Sequence, residues 1–144
     1  AVVNAYGGVY DPDTGAALAG PRAEPPGEGI VDSTHHLYTH GRPFEGFSGS
    51  GENTTLGVVA TDISLSKPET QKLSQMAANG LIQTVRPSYT TVDGDVVFAL
   101  SCGEKEDSLD AVGAAAQVAL SRAICRAVIE ADGMGFLPAW RDLR

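Results

Sequence analysis

Three short pieces of this sequence carry residue types that can do chemistry together: Asn53-Thr54, Asp93-Gly94-Asp95 and Asn4. A threonine that becomes the first residue of a chain holds its α-amine beside its own hydroxyl, a base and a nucleophile in one residue. That amine titrates near neutrality, so it can take the hydroxyl proton without a histidine or aspartate partner. Thr54 reaches this state if the bond from Asn53 breaks. The route is attack of the Thr54 hydroxyl on the Asn53 carbonyl, an N→O acyl shift, then hydrolysis of the ester. A plain loop-to-strand junction is the other reading of the same dipeptide. Asp93 and Asp95 flank a glycine at a strand entrance, where two carboxylates can hold an ammonium group, a substrate's amine or the freed amine of Thr54. An Asp-Gly hairpin turn is the alternative there. The Asn4 side-chain amide can donate to a developing oxyanion, an interaction whose loss costs about 3–4 kcal/mol. It can equally cap a turn before Gly7-Gly8.

Other candidate chemistry falls away on spacing. His35, His36 and His40 make an HHxxxH pattern without the glutamate, and in a segment without the helix, of a zinc protease. Gly46-Phe47-Ser48-Gly49-Ser50 has serine where the nucleophile elbow GxSxG needs its last glycine. The same glycine-rich run lacks the lysine of a phosphate loop. No metal or cofactor is required by the chemistry set out above.

Bulk composition narrows the partners. The 144 residues suffice for one domain with a core, and 42% hydrophobic with 19% charged residues is a globular composition. The net charge of −8, with no lysine or arginine cluster, argues against nucleic acid and anionic membrane. No uninterrupted apolar run has the length of a bilayer span, and no signal-peptide pattern is present. Cys102 and Cys125 lie among apolar residues without CxxC spacing. They read as buried free thiols in a reducing, cytoplasmic compartment, with a disulfide between them as the alternative. The chain opens on Ala1-Val2-Val3-Asn4-Ala5, already in strand pattern and without methionine, and reads as a piece of a longer protein.

The elements that must position these residues follow from local rules. Residues 1–10 have strand pattern, and Asp11-Pro12-Asp13-Thr14-Gly15 has the residues of a turn. From Ala19 to Asn53 the sequence is mostly irregular, with four of the eight prolines and seven of the seventeen glycines. A loop of that length inside a domain is usually functional. Its end, residues 46–53, has a composition that does not hold regular structure, and Thr55–Asp62 is then a buried strand. Ser66-Lys67-Pro68-Glu69 matches a capping box, the serine hydroxyl on the Glu69 amide and the glutamate reaching back. The helix it opens carries Leu73, Met76, Ala77, Leu81 and Val85 at helical spacing and ends before Pro87. Asp95–Ser101 is a second buried strand. A longer helix runs from Asp107/Ser108 to about Asp132, with Gly133 as its stop and alanines on several faces. The order β–α–β–α predicts a mixed α/β layer.

Taken together, Glu52-Asn53-Thr54-Thr55-Leu56-Gly57-Val58-Val59-Ala60-Thr61-Asp62, the Ser66-Lys67-Pro68-Glu69 helix, Arg86-Pro87 and Asp93-Gly94-Asp95-Val96-Val97-Phe98-Ala99 resemble the L-aminopeptidase/D-esterase family (DmpA-like, peptidase family S58). So does the opening Val2-Val3-Asn4-Ala5-Tyr6-Gly7-Gly8-Val9 with its turn. The chain is similar to the C-terminal portion of that family, which includes β-peptidyl aminopeptidases, the nylon-oligomer hydrolase and a pantetheine hydrolase. The resemblance implies an inactive precursor that cleaves itself, and a four-layer αββα sandwich resembling N-terminal-nucleophile hydrolases. It implies Asn53-Thr54 as the cleavage bond, Thr54 as nucleophile, Asn4 in the oxyanion hole, and Asp93 and Asp95 as the acidic pair beside the amine. Residues 1–53 would end the α-subunit portion with its cleavage loop, and residues 54–144 would form the β-subunit portion, together part of one domain. Threonine with two aspartates looks more like the nylon-oligomer hydrolase branch than the serine aminopeptidases. The implied activity is a self-processing amidohydrolase or aminopeptidase acting on a peptide or small amide. A pantetheine- or nylon-oligomer-type amidase, and a catalytically silent structural homologue, are the alternatives. The implied partners are further copies in a homo-oligomer and the rest of its own precursor.

Overall fold

The computed structural model describes residues 1–23, 29–41, 53–135 and 137–143. In chain order the elements are β1 (Val2–Asn4), β2 (Gly8–Tyr10), β3 (Ala17–Ala19), α1 (Ser33–His40), β4 (Thr54–Ile63), α2 (Lys67–Thr84), β5 (Val85–Arg86), β6 (Val96–Lys105) and α3 (Leu109–Ile129). A 3-10 turn, Trp140–Leu143, follows. The protein is thus mixed α/β, as the β–α–β–α order predicts.

Among the described residues two three-stranded sheets form, in the orders β1-β4-β6 and β3-β2-β5. β4 and β6 are parallel, with Leu56 opposite Val96 and Val58 opposite Phe98, and α2 makes the crossover that a parallel pair requires. β1 closes the other edge antiparallel. Residues 1–10 are therefore not one strand: β1 and β2 belong to different sheets. The break falls at Gly7, where a Cβ would run into the backbone of Arg86 and Pro87.

α2 and α3 cover one face of the larger sheet. Leu73, Ala77 and Leu81 of α2 meet Leu120 and Ile124 of α3 and Val59 of β4, all buried in one cluster. These α2 positions keep the spacing that places side chains on one helical face. α3 has the length and apolar composition of a membrane span, but here it packs on α2 and on both sheets. It runs Leu109–Ile129 with Glu130 at its C-cap, so it stops short of Gly133.

Local chemistry accounts for the element ends. Asp11 takes the N–H groups of Asp13 (2.9 Å) and Thr14 (3.0 Å), and Gly15 supplies a φ of 74°, which builds the expected turn. Glu69 reaches back to the Ser66 N–H at 2.8 Å as a capping box requires. The Ser66 hydroxyl donates to the Glu69 carboxylate at 2.6 Å. Within the proline- and glycine-rich span, α1 is a helix that the composition hides. Asp32 caps it through the His35 N–H at 2.9 Å, and Gly41 follows in the left-handed conformation.

Candidate functional site

The site grows from the first residue of β4. Pairing of β1 with β4 sets Asn4 opposite Thr54, and residues directly opposite in an antiparallel pair project to the same face. Asn4 is therefore a strand residue beside Thr54, not the cap of a turn before Gly7-Gly8. From the other side, a parallel bridge joins Asn53 to Asp93 at the entrance of β6. Residues 87–92 form no strand that pairs with β6, so Asp93-Gly94-Asp95 is not the turn of a hairpin into it. All the residues expected from the sequence, Asn4, Asn53, Thr54, Asp93 and Asp95, converge on one end of this sheet.

The Asn53 carbonyl oxygen is the centre of the arrangement. It accepts the Thr54 hydroxyl at 2.7 Å and the Gly94 N–H at 2.8 Å. Thr54 itself is half-buried at the sheet's end. The hydrogen bond keeps the Thr54 hydroxyl beside the carbonyl group that an N→O acyl shift would attack. Gly94, which sequence reasoning treated only as a spacer between two carboxylates, is thus a contact of the candidate scissile bond. Its lack of a side chain is required, because a Cβ there would sit 2.7 Å from Thr54 Oγ1. No local pattern announces this, since the clash comes from a residue forty positions away.

The two aspartates act as braces. Asp95 Oδ1 accepts the Thr55 N–H at 2.7 Å and Oδ2 accepts the Tyr89 N–H at 3.0 Å. It thereby ties the residue after Thr54 to a tyrosine whose φ of 53° lies in the left-handed region. Asp93 Oδ2 accepts the Thr90 hydroxyl at 2.6 Å and the Thr90 N–H at 3.1 Å. Each carboxylate faces a tyrosine. Burial, then the Asp93 charge, pushes the Tyr6 phenol above its ordinary pKa, and burial, then Asp95, does the same to Tyr89. Beneath the site Thr55 is fully buried, and its hydroxyl has no hydrogen-bond partner among the described residues.

The sheet face that carries Thr54 and Asn4 is open and apolar. Leu56, Val58, Phe98 and Leu100 are exposed on it by about half. Cys102 is also exposed, against the expectation that both cysteines are buried, and Cys125 is buried; both thiols are free. The histidines lie on α1, so the HHxxxH segment does have a helix. His35 bonds Tyr38, and the His36 and His40 rings stack 4.4 Å apart. Among the described residues no group of three or more His, Cys, Asp or Glu side chains is placed to hold a metal. The glycine-serine run at residues 46–50 lies outside the described residues.

Comparison with known proteins gives these residues a setting. The sequence profile of peptidase family S58 matches residues 15–137. An uncharacterized aminopeptidase of Mycobacterium bovis is 37% identical over 167 aligned positions, covering 99% of this chain and 46% of the relative. Uncharacterized aminopeptidases of Mycobacterium tuberculosis match to the same extent. One from Mycobacterium leprae is 40% identical over 106 positions, covering 63% of this chain and 29% of the relative. The chain thus spans less than half the length of these curated relatives.

Proposed function

This chain belongs to peptidase family S58, and on that premise we propose that it is part of a self-processing amidohydrolase with aminopeptidase activity, cut at Asn53-Thr54. The observation that carries the reading is the Thr54 hydroxyl lying 2.7 Å from the Asn53 carbonyl oxygen. Once cut, Thr54 presents amine and hydroxyl together. The amine takes the hydroxyl proton, Oγ1 attacks the substrate carbonyl, and the proton passes to the leaving amine. Asn4, on the same face, donates to the oxyanion. Water then releases the acyl group by the reverse route. Asp95 keeps Thr55 fixed, so that Thr54 holds its place when its link to Asn53 is gone. Asp93 has a second oxygen for the new ammonium group.

The wider architecture in this reading is a four-layer αββα sandwich. The present chain supplies the β1-β4-β6 sheet with its helices, and the rest of the precursor supplies the sheet that packs against Leu56, Val58, Phe98 and Leu100. β4 supports this, because a strand apolar on both faces is the pattern of a strand buried on both. The enzyme is read as cytoplasmic and homo-oligomeric, needing no metal or cofactor.

A second reading, an amidase of the nylon-oligomer or pantetheine type, is favoured by one observation. Both oxygens of Asp95 already serve the chain's own backbone N–H groups, which reduces the carboxylate capacity left for a substrate's ammonium group. Hydrolysis of amino-acid p-nitroanilides, compared with the same compounds acylated at the amine, separates the two. The shared reading is tested by denaturing gel and N-terminal sequencing of the full-length protein. Wild type yields a fragment beginning at Thr54, and Thr54→Ala yields none and has no amidase activity. An active Thr54→Ala protein sinks the assignment of the nucleophile.

A further inference from the structure

We propose that the backbone N–H of Gly94 is a catalytic group of the self-cleavage, the donor that stabilises the oxyanion formed on Asn53; this rests on the processing reading above. When the Thr54 hydroxyl adds to the Asn53 carbonyl carbon, the C–O bond forms and the carbonyl oxygen takes the negative charge. The hydroxyl proton ends on the Thr54 nitrogen as the C–N bond breaks. The Asn53 acyl group is left as an ester on Oγ1, and water splits it into the Asn53 carboxylate and the restored hydroxyl. The charge in the first step develops on the one atom to which Gly94 already donates, at 2.8 Å. Preorganised donors of this kind act without reorganising at the moment of reaction, and removing one costs about 100- to 1000-fold in rate.

Two features aim the donor. The Asn53–Asp93 bridge sets the two chain segments in register just before β4 and β6 begin. Asp95, on the other side of Gly94, is held at both oxygens by Thr55 and Tyr89. Gly94 is therefore clamped by its neighbours, and its own contribution is an amide with nothing on its Cα. Alanine would keep the N–H but put a methyl 2.7 Å from Thr54 Oγ1, where the nucleophile must move. Asn4 is thus assigned to the substrate's oxyanion, and Gly94 to the precursor's.

The test removes the donor without adding a side chain. In the full-length precursor, glycolic acid is placed at position 94, so that an ester oxygen replaces the N–H. Appearance of the fragment beginning at Thr54 is then timed. The ester variant should cut about 100-fold or more slowly than wild type. A variant that cuts within a few-fold of wild type overturns the role of Gly94 and leaves the processing reading standing. A wild-type precursor that never cuts overturns both. Hydrogen exchange in the uncut Thr54→Ala precursor gives a second measurement that does not depend on the ester variant folding. The Gly94 amide should exchange slowly there, and unprotected exchange overturns the proposal.

Discussion

On the helix side of the β1-β4-β6 sheet, Thr55, Val59 and Ile63 are buried, whereas Leu56 and Val58 of the same strand are exposed on the other side. The helix side is closed by Leu73, Ala77, Leu81, Leu120 and Ile124, all with almost no exposure. The open side carries Thr54 and Asn4 at one end of an apolar surface. The contrast separates two jobs. One face holds the fold together by burial, which needs shape and volume but no particular chemistry. The other presents the candidate bond, braced by hydrogen bonds from loops at the strand ends, beside an exposed apolar surface.

The sharpest break of this contrast is a cavity on the closed side. Leu81 of α2 is wholly buried in the cluster that holds Leu120 and Ile124 of α3, so Leu81→Ala should cost about 2–5 kcal/mol in denaturant unfolding of the full-length protein. Self-cleavage of the fraction that remains folded should proceed at the wild-type rate. A variant that is stable but uncut would show that the two faces are coupled after all.

Next in size is the brace itself. Asp95→Asn keeps the shape but offers one acceptor oxygen where two backbone N–H groups now bind, leaving the Thr55 or Tyr89 amide against an NH₂ group. The loss should be about 1–3 kcal/mol, with slower appearance of the Thr54 fragment. Unchanged cleavage would remove Asp95 from the machinery that positions Thr54.

The open face gives a smaller effect and tests the second sheet. If that sheet covers Val58 in the full-length protein, Val58→Ala removes buried surface and should cost about 1–2 kcal/mol, at roughly 0.8 kcal/mol per buried CH₂. A change within about 0.5 kcal/mol, normal for a surface position, would leave this face uncovered and count against the four-layer arrangement.

What was legible in the sequence divides along the same line. The Asp11 turn, the Glu69 half of the capping box and the core stripe of α2 are local, and their residues specify them within a few positions. Residue type makes Asn4, Thr54, Asp93 and Asp95 candidates, the family resemblance singles them out, and the fold brings them together. Non-local geometry was not readable. Nothing in residues 1–10 shows that Gly7 must pass against Arg86 and Pro87 and so divide one strand pattern between two sheets. Taken alone, Asp93-Gly94-Asp95 reads first as a hairpin turn, and only the fold shows that no strand before it pairs with β6. The role of Gly94 exists only because Thr54 lies against it. α1 is hidden for a different reason: it lacks an apolar stripe, with Ser33 its only buried residue, so only the caps at Asp32 and Gly41 mark it.

The smallest expected effect lies far from the site and shows what a purely local device does. Hydrogen bonds from the Ser66 hydroxyl and then the Ser66 N–H hold the Glu69 carboxyl below its ordinary pKa. A carboxyl whose pKa is lower in the folded state contributes stability above its unfolded pKa, and the contribution is lost as pH falls through the folded value. The gap in unfolding midpoint between wild type and Glu69→Gln should therefore be present at neutral pH and shrink as the pH is brought down through and below the ordinary carboxylate range. Cleavage at Asn53-Thr54 should be the same in both proteins at neutral pH. Glu69 is exposed and opens α2 at the end of the sheet opposite Thr54, so the cap steadies one helix end without reaching the bond. A gap of constant size across that range would mean the glutamate acts through packing, and a change in cleavage would mean that the start of α2 is felt at the far end of β4.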